Sequence, residues 1–288
     1  QRALDRIERL RGRPLPPLLV RVGAHAAQRP TWRGGHYRLP AIDYSTLPEP
    51  EPPAVTGEIH LGAGGRMVRR SGRLYRHTAA HDPAIIVHEL GHHLTRHTAD
   101  LRVNERRRPL EQANLKTPLD EGTSDYLTAI VLDSPDIYAW HRGMVSAERP
   151  ERRHLASPWT MAHFVGGHVS DPHTDGSIWA AALWAARTEV QRRGVDPERF
   201  DAVVVRALDR IGRTGRDLSV DAARRLRRRF ALVLEAILEE DLDAGGGLAA
   251  LVEPVFAARG IEVGAGNDDL RDRVRFAAAT GAACARPA

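Results

Sequence analysis

Hydrophobic positions change their period near residue 80. Before it, Ala3, Leu4, Ile7 and Leu10 share one helical face, so a short helix is expected over 3–11. A proline-rich break at 14–17 leads into LLVRV at 18–22, which predicts a strand. The stretch LPEPEPPAV at 47–55 must be loop. GEIHLGAGG at 57–65 then reads as a strand ending in a glycine turn, and RMVRRSGRLYRH at 66–77 as a hairpin or a pair of short strands around Ser71-Gly72. From Asp82 the pattern is helical, with Asp82 as N-cap, Pro83 at the first position and apolar residues at Ile86, Leu90 and Leu94.

An arginine-rich connection at 99–116 follows, after which Thr117 and Pro118 repeat the cap-and-proline signal for a helix through about Leu132. Asp120 offers a short capping-box carboxylate there. Residues 133–174, rich in Pro, Gly, His and Asp, read as irregular, and helices are expected again at 176–193, 198–211, 219–240 and 247–259. A sheet-rich start and a helix-rich remainder predict an α+β fold. The expected division is an N-terminal α/β lobe at 1–135, a mainly α-helical C-terminal lobe at 136–265 and a weakly ordered tail at 266–288.

Composition narrows the chemistry. With 288 residues and 42% hydrophobic content the chain can bury one large core or two lobes. Its longest purely apolar run, IWAAALWAA at 178–186, is about half of what a membrane-spanning helix needs, so no span is expected. The charged first residues carry no apolar core of a signal peptide, and localisation is not legible from that end. Cys284 is the single cysteine, which excludes a disulfide framework and a thiolate metal cluster. Metal chemistry must therefore use His and carboxylates.

The net charge is +5, with Lys116 the only lysine. Arg106 to Arg108 and RRLRRRF at 224–230 are basic runs, but Leu226 and Phe230 stand four apart, as on the solvated face of an amphipathic helix. A nucleic-acid partner is not expected.

The candidate chemistry lies in IIVHELGHHLTRH at 85–97. His88 and His92, four apart on a helix, present their imidazoles to one ion, and Glu89 can reach a water beside it. Hydrolytic zinc needs a third protein ligand and an open position. The best candidate is Glu121 in LDEGTSDYLTAIVL at 119–132. Asp125, one turn later, can accept the other N–H of a ligating imidazole and fix the tautomer of His88. GTSD at 122–125 also matches the start of the aspzincin pattern, in which Asp125 would itself bind zinc. His60, His77, His81, His93 and His97 read as surface residues, and Tyr126, Trp179 and Trp184 as core or lobe-interface residues.

Taken together, AHDPAIIVHELGHH at 80–93, DEGTSDYLTAIV at 120–131, DSPDIYAWHR at 133–142 and PHTDGSIWAAALW at 172–184 resemble the gluzincin zinc metallopeptidases, thermolysin-like and especially fungalysin-like. VFAARGI at 255–261 is a weaker echo, and residues 1–55 align with nothing in that family. The resemblance implies a zincin-type N-terminal lobe with a mixed β-sheet and an active-site helix. It implies His88, His92 and Glu121 as Zn2+ ligands, Glu89 as general base, Asp125 orienting His88, and Asp120 orienting His92. GEIHLGAGG would be the edge strand beside the cleft. His173, oriented by Asp171 or Asp175, would be a catalytic donor to the oxyanion, with Tyr138, His163 and His168 as rivals.

The expected activity is that of a zinc metalloendopeptidase on a peptide or protein substrate; a secreted or cell-envelope location is implied by the resemblance alone. The alternatives are a catalytically inactive zincin-fold binding protein and a zinc hydrolase of non-peptide amides.

Overall fold

The structure, a computed structural model, describes residues 1–38, 56–69, 71–101, 103–104, 114–115, 117–139, 153–166, 171–217, 222 and 229–280. It is a mixed α+β fold dominated by helices. The loop expected at 47–55, Arg106 to Arg108, His168, residues 224–228 and Cys284 lie outside the described residues.

Helix α1, Arg2–Arg11, buries Ile7 and Leu10 and stops at Gly12, whose φ of 79° suits glycine. Strand β1, Leu19–Ala24, pairs in parallel with β3, Glu58–Gly62, and β2, Gly35–Arg38, pairs antiparallel with the other side of β3. The sheet is therefore mixed, with order β1-β3-β2. The GEIHLGAGG strand, expected at the edge, is the central one. Ile59 and Leu61 alternate into the core, and Glu58 and His60 are buried on the opposite face, so β3 needs a partner on each side. Strands β4, Gly65–Val68, and β5, Leu74–His77, form the hairpin that Ser71-Gly72 predicts, Gly72 taking a φ of 78°.

Helix α2 is Pro83–Arg96, with the Asp82 carboxylate accepting from Ala84 N–H at 3.0 Å. After a minimal ladder of β6, Val103–Asn104, and β7, Asn114–Leu115, helix α3 spans Pro118–Leu132, capped by Thr117 Oγ1 on Asp120 N–H at 3.2 Å. Both caps fall where the cap-and-proline pairs predict them. Among the described residues five more α-helices follow: α4, Pro172–Arg192; α5, Pro197–Asp217; α6, Phe230–Asp243; α7, Ala249–Ala257; and α8, Asp268–Thr280.

Two further expectations change. The helix expected over 219–240 does not pass through Arg229, whose extended backbone starts α6 at Phe230. Much of the expected weakly ordered tail is α8, because Leu270, Val274 and Ala277 repeat at helical spacing and are buried.

One hydrophobic cluster runs from Ile7 to Val274. α3 is its axis: Leu119, Tyr126, Leu127 and Ile130 are buried, as are Thr123, Ser124, Asp125 and Thr128. A helix covered on every side needs its polar groups paired. Trp179 Nε1–H donates to Thr123 Oγ1 at 3.1 Å, and Tyr126 O–H donates to Asp201, which also accepts from Arg187. Glycines permit the close crossings. A Cβ on Gly91 would lie 2.8 Å from Ser124 Cα, and one on Gly122 would lie 2.2 Å from Gly176 O. Among the described residues no helix is long and apolar enough to cross a membrane.

Candidate metal centre

The Gly91–Ser124 contact draws α2 against α3 and brings His88, His92, Glu121, Asp125 and Asp120 together. His88 Nε2 lies 3.0 Å and His92 Nε2 3.5 Å from Glu121 Oε2, and the two Nε2 atoms are 3.1 Å apart. On the far side of the rings His88 Nδ1 faces Asp125 Oδ1 at 2.9 Å, and His92 Nδ1 faces Asp120 Oδ2 at 2.9 Å. A carboxylate only accepts, so each Nδ1 carries the proton and each Nε2 lone pair points toward Glu121. All five side chains are buried.

In their protonated forms the rings instead turn Nε2–H groups to Glu121: burial opposes ionisation of that carboxyl, yet the charge of His92 and hydrogen bonds from His173, His88 and His92 outweigh it and hold it well below its ordinary value. Burial likewise opposes ionisation of Asp125, but Arg153 and His88 prevail and lower it to about 2. Both carboxylates are ionised at neutral pH.

Glu89 follows His88 on α2 and is buried. Its side chain packs against β2, where a Cβ on Gly35 would stand 3.1 Å from Glu89 Oε1. Helix α2 thus reaches the sheet at a residue with no side chain to intrude.

His173 opens α4. The Asp171 carboxylate caps His173 N–H at 3.1 Å and also holds His173 Nδ1 at 2.7 Å, while His173 Nε2 stands 3.0 Å from Glu121 Oε2. Of the two candidate orienting residues, Asp171 makes the contact. Asp175 instead accepts from Val165 N–H at 3.1 Å and Gly166 N–H at 2.8 Å. Among the rival donors, His163 bonds to its own Thr160 turn, and the Tyr138 hydroxyl accepts from Arg153 at 2.8 Å.

Arg153 is the residue that sequence reasoning missed. Its Nε donates to Asp125 Oδ2 at 2.8 Å, and its Nη2 bonds to Asp125 Oδ1 beside His88 Nδ1. A guanidinium cannot accept, so Arg153 serves the carboxylate and leaves the His88 N–H to Asp125. Ser124 Oγ, 3.1 Å from His92 Nδ1, and Thr95 Oγ1, which donates to Asp120, were missed as well.

Several histidines expected at the surface are buried. His93 Nε2–H donates to Pro16 O at 2.9 Å and His93 Nδ1 accepts from Tyr37 O–H at 3.1 Å. Burial lowers His93 to about 4, so the ring is a neutral strut between α2 and the sheet. His97 is half-buried, its Nε2–H bonded to Thr56 O at 3.1 Å, and His60 and His77 are buried too. His81 is exposed and Tyr126 and Trp179 are buried, as the sequence predicts.

The described residues therefore hold His/Asp/Glu groups able to bind a metal ion, in sets that include His88, Glu121 and His173 and also His92, Asp120 and Glu121. Compared with protein-family models, with curated proteins and with solved structures, the chain matches none.

Proposed function

We propose that the chain is a zinc-dependent metalloendopeptidase in which His88, His92 and Glu121 hold the ion and Glu89 is the general base. The observation that carries this reading is the convergence of two imidazole nitrogens and a carboxylate oxygen while carboxylates occupy the opposite side of both rings. Neutral rings with protonated Nδ1 atoms point two lone pairs at each other across 3.1 Å; charged rings would point two N–H groups at each other. A cation between the rings and Glu121 resolves the first conflict and removes the need for the second. Spacing favours zinc. Atoms about 2.0–2.1 Å from a tetrahedral ion stand roughly 3.3 Å apart, and here the separations are 3.0, 3.1 and 3.5 Å.

Zinc, when bound, supplies Lewis acidity that acidifies water and polarises a carbonyl. Glu89 accepts the proton of the attacking water on its carboxylate and returns it to the leaving amine. Asp125 and Asp120 fix the His88 and His92 tautomers, and Arg153 holds Asp125 in its charged form. His173, its Nδ1 held by Asp171, is the donor suited to negative charge developing on the carbonyl oxygen. The peptide substrate, and a zincin-type lobe at 1–135 followed by a helical lobe, rest on the gluzincin resemblance.

A second reading has one observation in its favour. His173 Nε2, 3.0 Å from Glu121 Oε2, is close enough to be a fourth ligand, which would close the site and leave a metal-binding protein without turnover. Incubation of the pure protein with casein, with and without a chelator, followed by mass spectrometry, separates the two. Chelator-sensitive internal cleavage supports the peptidase; intact casein beside a metal-loaded chain supports the closed site.

A further inference from the structure

A second histidine cluster lies on the three-stranded sheet, built from residues that the proposed catalytic centre does not use. His25 immediately follows β1, His36 is on β2 and His60 is on β3, so all three strands contribute. His36 and His60 are direct cross-strand partners. His25 is brought in by a left-handed backbone with φ of 58°, a conformation few non-glycine residues adopt. The ring centroids stand 5.1 Å apart for His25 and His36, 5.0 Å for His25 and His60, and 5.0 Å for His36 and His60.

The hydrogen bonds aim these rings inward. His60 Nε2 faces Glu58 Oε2 at 2.7 Å, and Glu58 is itself held by Arg21 at 2.9 Å and Arg38 at 3.7 Å. The carboxylate accepts from His60 Nε2–H and leaves the His60 Nδ1 lone pair facing His25 Nε2, 3.0 Å away. One nitrogen from each ring lies within 4.8 Å of the others. We propose that His25, His36 and His60 form a second metal-ion site for one divalent ion of the imidazole-preferring class, Zn2+ or its neighbours Co2+, Ni2+ and Cu2+.

Glu58 is the positioning carboxylate of this site. His25 and His36 are only half-buried, which leaves a coordination position on the solvent side. The ion would clamp β1, β2 and β3 together at the strand that carries Gly35 against Glu89. Trp32 reports on it, with its ring centroid 5.6 Å from His25 and 5.2 Å from His36.

The test counts bound Zn2+ by plasma mass spectrometry after equilibrium dialysis, in the wild type, Glu121→Ala, His36→Gln and His25→Asn. Asn is used at residue 25 because it tolerates a left-handed backbone. Two equivalents are expected in the wild type. Glu121→Ala should keep one, which quenches Trp emission when Cu2+ replaces Zn2+. Adding His36→Gln or His25→Asn should remove that equivalent, with more than about tenfold weaker binding. The single variants in the wild-type background repeat the test should Glu121→Ala fold poorly. A wild-type chain with one equivalent, lost on Glu121→Ala and retained in His36→Gln and His25→Asn, overturns the second site and leaves the first standing. One equivalent lost only on His36→Gln or His25→Asn supports the second site and overturns the first.

Discussion

Gly122→Ala probes the contact that brings His173 to Glu121. An added Cβ would lie 2.2 Å from Gly176 O, 3.0 Å from Gly176 C and 3.1 Å from Trp179 Cβ. Carbon–oxygen contacts sit at about 3.3 Å or more, so α3 and α4 must part locally by about 1 Å. Overpacking of this kind costs about 1–3 kcal/mol. Replacing an interior helical glycine by alanine returns about 0.5–1 kcal/mol, for a net loss of up to about 2.5 kcal/mol. In a domain of this size that lowers Tm by up to roughly 10 °C.

Function should suffer more. Glu121 precedes Gly122 and His173 stands three residues before Gly176, so the same shift takes His173 Nε2 and Glu121 Oε2 from 3.0 Å to about 4 Å, a displacement that can lower turnover by about 100-fold. Thermal melts and casein cleavage read the two effects. Gly266→Ala, with nothing within 4 Å of its Cβ, is the control and should change neither. A Gly122→Ala protein with wild-type Tm and wild-type turnover would refute the helix contact and the site geometry built on it.

Three further outcomes are expected. Glu121→Ala should strip metal from the first centre, whereas Asp125→Ala, which removes only the partner of His88 Nδ1, should weaken binding by about 10 to 100-fold; the reverse ranking in a zinc titration would make Asp125 the ligand. His173→Ala should keep the metal and lower turnover by about two to three orders of magnitude, and loss of the metal instead would identify a fourth ligand. Asp209 receives Arg11 and Arg13, whose hydrogen bonds outweigh the opposing effect of burial and depress its carboxyl. A depressed carboxyl stabilises the fold above its unfolded-state value, and the contribution fades as pH falls through the folded-state value. Asp209→Asn, by leaving the buried Arg11 without its counter-charge, should therefore cost about 3 kcal/mol at pH 7 and progressively less as pH falls through the folded-state value. A pH-independent difference in Tm would contradict that sign.

What the sequence made legible is what local rules determine. Asp82-Pro83 and Thr117-Pro118 start α2 and α3 because a capping side chain followed by proline satisfies the first helical turn wherever it occurs. The spacing of four between His88 and His92, and between Glu121 and Asp125, places each pair on one face without reference to the rest of the fold.

Tertiary placement was not legible. GHYR at 35–38 has no apolar alternation, and becomes β2 through pairing with β3 and packing against α2. His93 looks like any polar helical residue until Pro16 O and Tyr37 O–H are brought to it from 77 and 56 residues away. Arg153 carries no signal in an arginine-rich chain, and only burial against Asp125 distinguishes it. Asp171 prevails over Asp175 because the capping geometry of α4 points its carboxylate at both the N–H and the ring of His173.

Glu89→Gln tests the central claim most directly, because the amide keeps the size of the side chain and cannot accept a proton. Metal content and casein products should be measured side by side for the variant and the wild type. Unchanged metal content with cleavage reduced to background is the predicted result; chelator-sensitive cleavage by Glu89→Gln at the wild-type rate would contradict it.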